Sequence, residues 1–149
     1  MIDFTIQTRI DRRPGDVFAY VTDPALLPTW QTNTVSSQTE DGGPLRPGAR
    51  LREVHRGPGG RELPSLVEVA ELEPDRRLAL RVVEGVPIHA DIDVEPAGDG
   101  SVLRFRAFGQ PSGALRLLSP VLARTLRRQF AANCETLKRV LEAPLSNAA

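Results

Sequence analysis

The chain has a single cysteine, Cys134, which excludes an internal disulfide and any cysteine-based zinc site. Two histidines, His55 and His89, leave little material for a His-rich metal centre. Aromatic residues make up only 5% of the chain, with one tryptophan, Trp30, and none is interleaved with the basic face of the last segment (Arg124, Arg127, Arg128, Lys138 and Arg139), which gives nucleic-acid binding little support. An excess of charge is missing as well. Lys+Arg and Asp+Glu number 19 each, which removes any global electrostatic ground for binding nucleic acid or an anionic membrane. No apolar run approaches the roughly 20 residues needed to span a bilayer. The opening MIDFTIQTRIDRR alternates instead of presenting the continuous apolar core of a signal peptide. These absences point to a cytoplasmic protein with no nucleic-acid partner, no stable membrane insertion and no cofactor or metal.

What is present is a globular composition. With 149 residues, 40% hydrophobic and 26% charged, the chain can bury about 70% of its extended-state surface as one domain over 1–149, with 143–149 reading as a frayed tail.

Met1 to Arg9 reads as a strand, with Ile2, Phe4, Ile6 and Ile10 on one face and Asp3, Thr5, Gln7 and Arg9 on the other. The period then changes. Pro14 with Asp16 opens one short helix carrying Val17, Phe18 and Val21, and Asp23-Pro24 opens a second, limited by Pro28 and followed by Trp30. From about Thr32 to Gln110 the pattern is strands and turns. Turn chemistry stands at 41–44, 57–60, 73–75 and 97–100, between segments 50–56, 63–72, 78–84, 88–95 and 102–108. The Gly-rich stretch at 57–60 lacks the following helix and Lys-Ser/Thr of a phosphate loop and reads as a hairpin turn. Several segments alternate cleanly, as in Leu78, Leu80, Val82 and in Ile88, Ala90, Ile92, Val94, which predicts an antiparallel sheet covered on one face.

The cover comes last. Ser119-Pro120 begins a long amphipathic helix reaching about Glu142, after a lead-in turn at 113–118. At about 100° per residue, Leu118, Leu122, Leu126, Phe130, Leu137 and Val140 form one stripe, opposite Arg124, Arg127, Arg128, Glu135, Lys138, Arg139 and Glu142. The expected architecture is α+β: about seven strands curved around this helix, with two short helices after the first strand. Such a sheet leaves a cavity at the ends that the helix cannot fill.

The stretch from Ile10 to Pro24, closed by Pro28-Thr29-Trp30, resembles the opening of the START-like (SRPBCC) helix-grip proteins, in their polyketide cyclase/dehydrase-like branch. Pro47-Gly48, the run from Val69 to Leu78 and the ending Leu137-Lys138 with Glu142 are similar too, so the likeness covers nearly the whole chain. It implies the helix-grip fold and a hydrophobic small-molecule ligand. It does not imply a reaction, because members of the superfamily include carriers as well as enzymes.

The pattern nominates ligand-lining residues: Trp30 and Leu51, Leu80 and Val82, Ala90 and Ile92, and Phe105 from the sheet side. From the helix come Leu122, Leu126, Gln129, Phe130 and Asn133. Gln129 and Asn133 interrupt the apolar stripe and need partners, in the protein or in a ligand. On the third strand Glu53 and His55 share the face of Leu51, about 7 Å apart along the strand. Inward, they form an acid/base pair of weak sequence specificity; near the strand end, they are solvated. His89, Asp91 and Asp93 alternate against an apolar set and are expected to face water. Two functions stay open: carriage of a lipid, quinone or polyketide-like molecule, or a cyclase/dehydratase-type enzyme working through the interior polar residues.

Overall fold

The computed structural model describes residues 1–143, so the expected tail lies outside the described residues except for Ala143. Strand β1 (Ile2–Ile10) alternates as its sequence predicts, burying Ile2, Phe4 and Ile10. Helix α1 (Pro14–Val21) starts without a side-chain cap: Arg13 is extended, and the fixed φ of Pro14 with Asp16 in the first turn supplies the start. Val17, Phe18 and Val21 are its buried face. Asp23 caps a 3-10 turn (Pro24–Leu26) by accepting from the Ala25 N–H at 3.0 Å. Helix α2 (Leu27–Trp30) follows, with Pro28 in its first turn, where no N–H is needed.

The remaining strands are β2 (Thr34–Thr39), β3 (Arg50–Arg56), β4 (Glu62–Glu73), β5 (Arg77–Glu84), β6 (Ile88–Ala97) and β7 (Gly100–Gly109). All seven form one antiparallel sheet in the order β1-β7-β6-β5-β4-β3-β2. Register shifts between Thr34 and Ser36, between Leu66 and Val67, and between Val69 and Glu71 bend the β2–β4 side. The expected turns fall between strands, with Asp75 at φ 64° in the β4–β5 connection.

A short helix α3 (Ala114–Leu117) leads into α4 (Ser119–Glu142). The long helix lies on β1 and α2. Its predicted stripe has the right phase, but its burial is uneven. Asn133, Cys134 and Leu137 are fully buried, Leu122, Leu126 and Phe130 are half-buried, and Leu118 is 55% exposed. Val140, the last member, is also exposed.

The C-terminal half is fastened. Glu142 Oε2 accepts from the Asp11 N–H at 2.8 Å and from Lys138 Nζ at 2.9 Å, while Lys138 Nζ also reaches the Arg9 carbonyl at 2.6 Å. Lys138 is thus a fastener, and its hydrogen bond holds the Glu142 carboxyl below the usual carboxylate range. At mid-helix, Phe130 stacks on Phe105 with centroids 4.9 Å apart and tilts against Phe4 at 5.9 Å. Trp30 meets Phe105 edge-on at 6.4 Å. Burial pushes the Cys134 thiol up to about 11, which makes it an inert core group at neutral pH.

This asymmetry predicts unequal losses along one stripe. Leu137→Ala should cost about 2–5 kcal/mol in urea unfolding, because it opens a void in a closed core. Leu126→Ala should cost distinctly less, and exposed Arg124→Ala under about 0.5 kcal/mol. Equal losses for the two leucines would mean that α4 is packed evenly along its length.

Candidate functional site

Under the N-terminal half of α4 lies a cavity of about 590 Å3. Its sheet wall includes Leu51, Leu80, Val82, Ala90, Ile92 and Phe105. The helix contributes Leu122, Leu126, Gln129 and Phe130, and both Glu53 and His55 are on the wall. Two nominated residues are not on it. Trp30 sits fully buried behind Phe105, and its Nε1 has no hydrogen-bond partner among the described residues. Asn133 is fully buried, accepting from Gln129 Nε2 at 2.9 Å and donating to Asn33 Oδ1 at 3.5 Å. It ties α4 to the α2–β2 connection, while Gln129, one turn earlier, reaches the cavity.

The polar groups of the lining gather mostly on one side. Toward β5–β7 the lining is mostly apolar, with Leu78, Leu80, Val82, Ile92 and Phe105, and His89 at its edge. Toward β2–β4 it carries Gln31, Asn33, Ser37, Glu53, His55, Arg56 and Ser65 among Leu51, Leu63 and Val67. Glu53 is only 8% exposed. Its Oε2 accepts from Ser37 Oγ at 3.0 Å, and its Oε1 lies 3.1 Å from His55 Nε2. His55 Nδ1 is 3.2 Å from Thr34 Oγ1, which in turn donates to Gln31 Oε1 at 3.2 Å. A carboxylate and an imidazole are therefore in contact on the wall of a largely apolar cavity, each oriented by a hydroxyl.

Ser37, Ser65 and Thr34 were not nominated from sequence. Ser37 and Ser65 stand directly opposite Glu53 on β2 and β4, and Thr34 stands opposite His55. Only the strand register reveals this. A second, open groove of about 450 Å3, lined by Phe18, Leu72 and Asp75, shares the Thr22–Pro24 segment and Leu45 with the main cavity.

The convex face departs from the expectation of a simply hydrated surface. Asp91 is buried there beneath Arg81 at 2.8 Å and Arg77 at 3.3 Å. Arg81 and Arg106 cover the Phe108 ring at 5.0 and 4.4 Å, and His89 packs against the same ring at 5.4 Å. His89 Nδ1 accepts the Val82 N–H at 3.1 Å. Burial first, then the charge of Arg81, holds this imidazole below the usual histidine pKa. Among the described residues, no group of three or more His, Cys, Asp or Glu is placed to hold a metal ion, and no helix is long and apolar enough to cross a membrane.

Comparison with known proteins agrees with this geometry. The family described as polyketide cyclase / dehydrase and lipid transport matches residues 1–142. Among curated proteins, none matches the chain by sequence. A solved structure from Thermus thermophilus superposes with a TM-score of 0.78 at 16% identity, covering 99% of each chain. One from Arthrobacter aurescens gives 0.74 at 17% identity, covering 97% of this chain and 88% of the other. A Nitrosomonas europaea protein gives 0.68 at 20% identity, covering 93% and 95%. At these identities the likeness establishes the fold alone.

His89 makes stability depend on pH in a defined direction. Protonation would cost it the Val82 hydrogen bond, so the folded chain takes up this proton less readily than the unfolded one. Its contribution is fully present above the unfolded value of 6.5 and is lost as pH falls from there through the lower folded value. Asp3, Asp41 and Glu142, held low by their partners, add losses only below about pH 4.5. Urea midpoints measured between pH 7.5 and 5 should therefore fall, and His89→Gln should flatten that slope. An unchanged slope in the variant would remove His89 from the account.

Proposed function

Because the chain belongs to the polyketide cyclase/dehydrase and lipid transport family, we propose that it binds and carries a small hydrophobic molecule, of lipid, quinone or polyketide-like type, between α4 and the sheet. The observation that supports this most directly is the apolar, aromatic-floored cavity of about 590 Å3. That volume lies within the range of about 300–1,000 Å3 usual for small-molecule sites. Apolar walls left without contacts sacrifice dispersion energy, and an apolar occupant restores it. The proposed contacts are Leu51, Leu80, Val82, Ala90, Ile92, Phe105, Leu122, Leu126 and Phe130, with Gln129 at the polar border. Trp30 and Asn133 support this wall from behind.

A second reading is favoured by one observation, the 3.1 Å contact between Glu53 and His55 on the cavity wall. Such a pair can take a proton from a carbon beside a carbonyl and deliver one to oxygen, as a cyclase or dehydratase requires. Carriage needs less, and ranks first.

Native mass spectrometry of freshly purified protein should reveal a retained small molecule. Leu126→Trp, which fills the cavity from the helix, should weaken binding of the neutral apolar probe N-phenyl-1-naphthylamine by at least about ten-fold, the scale of lost burial. Unaltered probe binding in that variant would count against the cavity as the site. His55→Ala separates the two readings. A carrier should change ligand affinity by no more than about ten-fold, whereas an enzyme should lose about 10²–10⁴-fold in rate while binding persists.

A further inference from the structure

We propose that the cavity selects its ligand by a hydroxyl-bearing head, a phenol or alcohol whose O–H donates to Glu53, and discriminates against carboxylate-headed molecules. This rests on the cavity being the binding site, as above, and adds the chemical class and orientation of the occupant.

Three residues form a row across the concave face. Ser37 on β2 stands opposite Glu53 on β3, and Glu53 stands opposite Ser65 on β4. All three line the cavity. A carboxylate offers about four lone-pair sites. Glu53 uses one on Ser37 and one on His55, so a site on each oxygen remains, and among the described residues no further side-chain donor reaches it. Ser65 Oγ has no partner among the described residues either. Beyond Ser65 the row is closed by Gly85, at φ +121°, where an added Cβ would come within 2.9 Å of the Ser65 Cβ. The polar row is thus a bounded patch with unused acceptor capacity, facing an apolar far wall at Leu80, Ile92 and Phe105.

Three kinds of head meet this patch differently. A plain hydrocarbon leaves the Glu53 lone pairs dry, a cost for a buried charge. A carboxylate in the row brings like charge beside Glu53, with the Ser37 and His55 donors already spent on Glu53 and the cation Arg56 at the end of β3, outside the row. A hydroxyl donates to Glu53 and, after a rotation about the Ser65 χ1, accepts from Ser65. Its hydrocarbon body then extends toward the β5–β7 wall. His55 and Ser37 act as positioning residues that hold the carboxylate in the row.

The test compares 4-pentylphenol, pentylbenzene and 4-pentylbenzoate, probes of one tail and three heads, by displacement of N-phenyl-1-naphthylamine at pH 7.5. The phenol should bind at least about ten-fold tighter than pentylbenzene, the scale of a hydrogen bond to a charged group, and the benzoate weakest of all. Glu53→Gln should collapse the preference for the phenol over pentylbenzene to within about two-fold, and displacement of the dye by pentylbenzene in that variant reports that the cavity is still formed. Equal affinity for phenol and hydrocarbon, or a benzoate that matches the phenol, overturns the proposal and leaves the cavity reading standing. If none of the three probes displaces the dye, the cavity reading itself falls.

Discussion

One 24-residue helix has to cover the concave face of a seven-stranded sheet, and it is too narrow to do so. An α-helix with its side chains is about 10–12 Å across, while neighbouring strands add about 4.8 Å each. The chain resolves the mismatch by laying α4 along β1 and α2 and leaving the β3–β6 side hollow beneath its N-terminal half. The Phe130–Phe105 stack marks the boundary, because Phe130 is the last large side chain that spans helix to sheet before the gap opens. The cavity, the half-burial of Leu122 and Leu126, and the polar row on the β2–β4 side all follow from that placement.

Much of the architecture was legible because apolar periodicity reports directly on which face is covered. The change from period 2 to helical spacing after Ile10 located α1, and the clean alternation of Leu78–Val82 and Ile88–Val94 located β5 and β6. The β2 segment was harder to read: Thr34–Thr39 is mostly Ser, Thr and Gln, with little apolar signal. Its parity is also broken. The register shift between Thr34 and Ser36 turns Thr34 and Ser37 to the same side, where strict alternation would separate them. Glu53 and His55 were readable as inward candidates from Leu51, but their partners Ser37, Ser65 and Thr34 depend on cross-strand register, which no local pattern carries. The same limit applies between β4 and β5, where Leu66 pairs with Glu84 but Val67 with Val82, so that one residue of β5 is left over and its parity changes there.

The two faces of the sheet handle charge by opposite means. On the convex side, Arg77 bridges Glu71, Asp91 and Asp93, Arg106 pairs with Asp3, and Arg104 pairs with Glu95 across neighbouring strands. Planar guanidinium groups lie over Phe108 and screen its ring from water. Charges there are mutually satisfied. On the concave side, a single carboxylate is held by one hydroxyl and one imidazole and retains acceptor capacity. A sheet that neutralises its charges so thoroughly outside makes the incompletely satisfied carboxylate inside chemically conspicuous.

The division of α4 into an anchored half and an unsupported half has a consequence for how such a protein can diversify. The residues that secure the helix, Leu137, Cys134, Asn133, Lys138 and Glu142, are separate from those that shape the hollow, Leu122 and Leu126. Distant sites with no shared partners contribute nearly independently. Substitution over the hollow can therefore reshape the chamber while the anchor keeps the helix seated. A fold with that separation can change what it accommodates without first acquiring spare stability, a property suited to a scaffold that recurs in chains sharing only 16–20% of their residues.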